Sequence, residues 1–292
     1  MDGSKIAAVL CLSMMIGGCG PSKPRVVVAA KNTTEQLVLG EISAQHLERR
    51  LRRKVERRFN AGPTPVVFQE LQGGDIGLYP DYTGLLERSI LREPASADPS
   101  MVFERVRTEL RRTANIETLR PLGIDNRYVI VVRAADAEHE KIESLTQAAH
   151  AKIDWRLGIT VDFEQSPDGL ARFNAYRIPL AAPARSMEPA ELYQALRQQQ
   201  LSMILGFATD SQLSNHEIKV LEDDKNVFAP HQACLLVRAD LLAADPAIRS
   251  ALDELTGKFT NQIIQKLNAQ VDNDHCGVAD VAAGFLASAG LK

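Results

Sequence analysis

Short β-branched runs alternate with amphipathic helical stretches along nearly the whole chain, and no other feature constrains the fold as much. Arg25-Val26-Val27-Val28-Ala29-Ala30 reads as a buried strand. Glu35 to Arg53 follows with helical periodicity, in which Leu37, Ile42, Ala44, Leu47 and Leu51 can share a face. Further strands are expected at 54–59, 75–79, 128–133, 156–161, 202–207, 218–221 and 233–238. Further helices are expected at 64–71, where Pro65 sits in the first turn and its missing N–H costs nothing, and at 101–114, 142–150, 188–199 and 246–269. Strands alternating with helices predict an α/β fold with mostly parallel sheets. A second set of elements begins at Tyr128, which predicts two α/β halves of about 100 residues each, with a cleft between them.

The N-terminal residues stand apart from this pattern. Lys5 precedes an apolar run, Ile6 to Ile16, too short to span a bilayer as a mature helix and suited to a signal h-region. Ile16-Gly17-Gly18-Cys19 closes the run and resembles a bacterial lipobox, whose cysteine is lipidated and becomes the new N-terminus. The expectation is a signal peptide over residues 1–18, a lipid on Cys19, and an extracytoplasmic chain held to a membrane by that lipid alone. An ordinary signal peptide or a buried helix are the plainer alternatives. Cys11 leaves with the signal, so Cys234 and Cys276 remain, either as a disulfide in an oxidising compartment or as two buried thiols.

Charge and motifs narrow the function. Lys and Arg number 34 against 37 Asp and Glu, which argues against a dedicated nucleic-acid binder. The basic cluster Arg49, Arg50, Arg52, Arg53, Lys54, Arg57 and Arg58 reads as a solvated helix end running into an edge strand, with an anionic partner as the sharper alternative. There is no Gly-x-Ser-x-Gly elbow, no His-Glu-x-x-His and no Walker loop, so no enzyme is expected. No Cys/His cluster suggests a metal, and no cofactor is expected. Asp272-Asn273-Asp274 lacks the spacing of a calcium loop and reads as a turn. His46, His139, His150, His216 and His275 sit among polar residues and are expected in solvent; His231 is the exception.

Four stretches, in order along the chain, resemble the substrate-binding proteins of ABC importers for quaternary-amine osmoprotectants such as glycine betaine, carnitine and choline. They are Ala30-Lys31-Asn32-Thr33-Thr34-Glu35-Gln36 and the residues to Glu41; Val55 to Asn60 with Thr64 to Phe68; Gly74-Asp75-Ile76-Gly77-Leu78-Tyr79-Pro80-Asp81-Tyr82-Thr83-Gly84; and Leu221 to Lys225 with Phe228 and Pro230. The resemblance implies a two-lobed type II periplasmic-binding-protein fold with ligand closed between the lobes. Lobe one is expected at 25–127 plus 231–292, and lobe two at 128–230. It also implies ABC permease subunits as partners.

The chemistry follows from the ligand. A quaternary ammonium has no N–H to donate and spreads its charge over methyl groups, so aromatic faces suit it. A carboxylate, where present, needs Arg, Lys or backbone N–H donors. Carried over by motif, Tyr82 and Tyr128 match cage tyrosines and Lys31 a polar contact from the first lobe. At other places the chain departs from the family. Leu85 replaces a threonine, Ser166 the carboxylate-clamping arginine, and Phe207 and His231 two cage tyrosines. The expected pocket is therefore Tyr82, Tyr128, Phe207 and His231, with Lys31 and Ser166 at its polar edge. It should take a compact organic cation or zwitterion. A carboxylated betaine is disfavoured unless Arg127 or Arg172 replaces the missing clamp. Titration of His231 should make binding depend on pH near 6–7. Two alternatives stand beside this reading. One is retuning toward another small ligand, such as an amino-acid betaine with an imidazole, held by His231 and Ser166. The other is a sensor or structural lipoprotein without transport.

Overall fold

A computed structural model describes residues 23–166 and 169–291. The expectations for the signal peptide and for Cys19 lie outside the described residues. Among those described, no helix is long and apolar enough to cross a membrane.

Strands β1 (Val27–Ala29), β2 (Glu56–Arg58), β3 (Leu78–Tyr82) and β4 (Ile116–Thr118) precede β5 (Tyr128–Arg133), β6 (Leu157–Ile159), β7 (Arg185–Ser186), β8 (Met203–Phe207) and β9 (Ile218–Leu221); β10 (Ala233–Arg238) comes last. They form two five-stranded sheets, ordered β2-β1-β3-β10-β4 and β7-β6-β8-β5-β9. The two orders are equivalent. In each lobe the fourth strand is the one that has just arrived from the other lobe. That strand runs antiparallel to both neighbours: β10 against β3 and β4, β5 against β8 and β9. The expected mostly parallel sheets are therefore mixed. Only the locally wound strands gain parallel partners through a helical crossover, whereas a strand entering from the hinge comes in from the opposite end.

Each lobe has its own cores. Val28, Val38, Leu39, Ile42, Leu47, Leu78, Leu235 and Val237 are buried together in the first, and Ile130, Val132, Trp155, Ile159, Phe163, Met203 and Leu205 in the second. Trp155 is fully buried, and its Nε1 donates to Ala148 O at 2.9 Å. The helix Thr34–Leu51 is covered on more than the one face its periodicity suggests, since the helices Pro246–Asp253 and Val278–Ser288 pack on it opposite the sheet. Leu37, expected on the shared apolar face, is only half-buried. His46, expected in solvent, is instead buried on that covered side, with Nε2 at 2.9 Å from Ala251 O. The other four histidines expected in solvent are exposed.

Three further expectations change. The long helix at 246–269 is two, Pro246–Asp253 and Asn261–Asp272. The first ends at Asp253, a turn from Glu254 to Gly257 (φ 66°) follows, and Thr260 caps the second by accepting from Ile263 N at 3.2 Å. The third strand lies at 78–82 rather than 75–79. Residues 74–76 are consumed by the turn closing the helix Thr64–Gly73, and β3 tolerates Pro80 because its pairing with β1 is confined to Leu78. The basic cluster is not simply solvated, because the fold brings acids to it: Arg50 meets Glu254, Arg53 meets Asp245, and Arg57 meets Glu41 and Glu48. Cys234 and Cys276 are free thiols, the first buried and the second exposed.

Candidate ligand cleft

The site is assembled from strand ends. Lys31 follows β1, Tyr82 ends β3, Tyr128 begins β5, Phe207 ends β8 and His231 lies just before β10. These five line one cavity of about 700 Å³ between the lobes. Ser166 is not among its lining residues. It closes the short helix Val161–Gln165, and its N–H donates to Asp162 O at 2.9 Å. Neither proposed substitute for the arginine clamp lines the cavity. Arg127 is paired with Asp125, its Nε at 2.9 Å, and Arg172 donates across the lobes to Ala95 O at 2.9 Å.

Tyr128 and Phe207 are direct register partners on β5 and β8, which brings their ring centroids within 5.0 Å. The Tyr128 ring also meets Phe163 edge-on at 4.9 Å, Phe228 at 6.3 Å and His231 at 6.1 Å. Phe163 and Phe228 belong to the second-lobe core, so the aromatic wall is held by buried packing.

The opposite wall is polar. Tyr82 donates its hydroxyl to Glu35 Oε1 at 2.6 Å. Lys31 Nζ lies 5.0 Å from the Tyr82 ring centroid and 2.6 Å from Asp81 Oδ1, and Thr64 Oγ1 donates to Asp81 Oδ2 at 3.0 Å. Lys31 therefore lines the cavity with its charge already matched by a fully buried carboxylate. Glu35 is buried with no basic partner among the described residues. Burial raises its pKa, and hydrogen bonds from Thr209, Tyr82 and Asn268 act in the other direction. Thr209 follows β8, so this carboxyl sits at the seam between lobes. Asn268 Nδ2 also donates to Thr209 O at 3.0 Å, and Gln265 Nε2 to Ala208 O at 2.9 Å.

The two chain crossings are tied together at the hinge. Asn126 N–H donates to His231 O at 2.9 Å, and His231 N–H to Asp125 Oδ1 at 2.8 Å. Burial, with the nearby charges of Arg88, Lys31 and Arg127, pushes the His231 imidazole down to about 3. His231 is thus neutral throughout the range where its titration was expected to govern binding, and the expected pH dependence near 6–7 loses its cause.

Several lining residues escaped the sequence reading: Glu35, Arg88, Asn126, Thr209 and Asn268. Glu35 was visible in the first motif but reads as an acidic residue in the first turn of a helix. Arg88 stands three residues after Leu85, a helical spacing that places it beside Leu85 on Thr83–Ser89. Asn126 and Asn268 carry no local signal.

Comparison with known proteins agrees with this architecture. The chain is 27% identical over 287 residues to the carnitine transport binding protein OpuCC of Listeria monocytogenes, covering 95% of this chain and 93% of that one. It is 28% identical over 271 residues to the ergothioneine transport permease/ergothioneine binding protein EgtU of Helicobacter pylori, covering 91% of this chain but 48% of that longer protein. A crystal structure described as a glycine betaine/carnitine/choline ABC transporter superposes with a TM-score of 0.85 at 25% identity, over 91% of this chain and 99% of that one. The family of substrate-binding domains of ABC-type glycine betaine transport systems matches residues 24–288. With two lobes, a hinge and an aromatic-walled cleft in place, the chain belongs to that substrate-binding family, a transport family and not an enzyme family.

Proposed function

We propose that this chain is the extracytoplasmic solute-capturing component of an ABC importer, and that it holds a compact organic cation or zwitterion between its lobes for delivery to permease subunits. The carrying observation is the convergence of Tyr128, Phe207 and Tyr82 with the buried Glu35 on one inter-lobe cavity. The aromatic faces attract a methylated ammonium and bury its methyls, and the Glu35 carboxyl lines the facing wall with no basic partner among the described residues. Lys31 already covers part of the Tyr82 ring, which favours the Tyr128–Phe207 wall as the seat of the cation. Lobe one then comprises 25–127 and 231–292, and lobe two 128–230. A lipid on Cys19 tethers the mature chain.

Calorimetry on the mature chain with choline, glycine betaine, carnitine and ergothioneine tests the reading. Each cation–π contact contributes about 0.5–2 kcal/mol according to its desolvation. Tyr128→Leu keeps apolar volume but removes the ring face, so affinity should fall roughly tenfold. Affinity unchanged for every ligand that binds would place the cation elsewhere.

A further inference from the structure

His231 is more than nine-tenths buried, lines the ligand cavity, and makes no side-chain hydrogen bond among the described residues. The other buried histidine, His46, has a partner for Nε2 in the Ala251 carbonyl, though none for Nδ1. The His231 ring is nevertheless firmly seated. Its backbone N–H and C=O are both used in the hinge, and its Cδ2–Nε2 edge lies against Gly84, where a Cβ would come within 2.6 Å of Cδ2 and 3.0 Å of Nε2. The fold thus keeps a position free of side chain so that an imidazole can sit there, and among the described residues the imidazole has no hydrogen-bond partner.

Resting on the reading of the cleft as a cation site, we propose that His231 is a specificity-determining residue that reads a hydrogen-bonding arm on the ligand. The cleft is built for an organic cation carrying a hydroxyl or N–H group, and it discriminates against a bare quaternary head. A neutral imidazole offers one donor and one acceptor, and it does not repel the cation. Burial first, and then the nearby charges of Arg88, Lys31 and Arg127, keeps the ring neutral. A hydroxyl or N–H arm also suits a cavity whose other lining groups include Glu35, Asp162, Asp210 and Asp272, all hydrogen-bond acceptors when ionised. An arm that merely accepts would face these oxygens.

The test compares choline, whose head bears a hydroxyl arm, with tetramethylammonium, which has none, by calorimetry on the full mature chain. Wild type should bind choline roughly tenfold or more tightly than tetramethylammonium. His231→Phe keeps the aromatic surface and should bring that ratio close to one, weakening choline far more than tetramethylammonium. Retained tetramethylammonium binding also shows that the variant is folded; His231→Leu makes the same comparison if the phenylalanine is not accommodated. A wild-type ratio near one, a ratio unmoved by both variants, or equal weakening of both ligands overturns this inference alone. Binding of glycine betaine, carnitine or ergothioneine but of neither choline nor tetramethylammonium overturns this inference alone; failure to bind any of the five overturns the cation-site reading and this inference with it.

Discussion

Lys31→Met is the sharpest probe of what the cleft's first-lobe lysine does. Its ammonium lies 2.6 Å from Asp81 Oδ1, and the Asp81 side chain is wholly inaccessible. Removing the charge leaves that carboxylate buried with two neutral donors, Thr64 Oγ1 at 3.0 Å and the Tyr82 N–H at 2.9 Å. Breaking one side of a buried pair costs about 3–5 kcal/mol, because the survivor is charged and desolvated. An exposed pair such as Arg107–Glu104 contributes only about 0–1 kcal/mol. The double variant Lys31→Met/Asp81→Leu removes both charges and should recover most of the loss, giving a coupling energy of about 2 kcal/mol or more. Urea unfolding of wild type, both single variants and the double variant measures it. A loss below about 1 kcal/mol in Lys31→Met, together with a collapse in ligand affinity, would refute the reasoning. The ammonium would then serve the ligand rather than Asp81.

Further outcomes can be checked separately. Gly84→Ala puts a Cβ 2.5 Å from the Pro230 carbonyl oxygen and 2.6 Å from His231 Cδ2, so it should lower both stability and ligand affinity, read by thermal melting and calorimetry; retention of both would show that the hinge yields easily. The pKa of His231 falls from 6.5 to about 3 on folding, so neutral His231 contributes stability above pH 6.5 that is progressively lost as the pH drops toward 3. At pH 5 that loss is about 2 kcal/mol. Glu35 and Asp210, with raised pKa values, act in the opposite sense, so the quantity to measure is the difference in pH dependence between wild type and His231→Phe. Cys276 should react with iodoacetamide in the native chain while Cys234 is protected until unfolding, because burial pushes its thiol well up; equal labelling in peptide mass mapping would contradict the packing of β10.

Much of this protein is legible in local sequence. The β-branched runs at 26–29 and 128–133 and the cap and glycine signals around the helices mark most elements, because strand and helix periodicities are properties of neighbouring residues. The family motifs also bring five of the six expected site residues to one cavity. The errors arise where distant segments decide. His46 looks polar in sequence, yet two later helices cover it. The basic cluster looks solvated, yet Glu254 and Asp245 lie about 200 residues further along the chain and meet it only after folding. The antiparallel strand in each sheet follows from a chain that leaves a lobe and returns.

The site divides in the same way. Which side chains reach the cleft was written in the motifs, but their working state was not. Lys31 carries a charge in any sequence, and only packing against Asp81 commits it. A histidine has an ordinary pKa near 6.5, and only burial among Arg88, Lys31 and Arg127 keeps His231 neutral. Sequence determined the residue types and the element each rides on, because those depend on local covalent order. Tertiary structure decided partners, burial and charge state, because desolvation and Coulomb interactions depend on distances in space, which are set only when both lobes have formed.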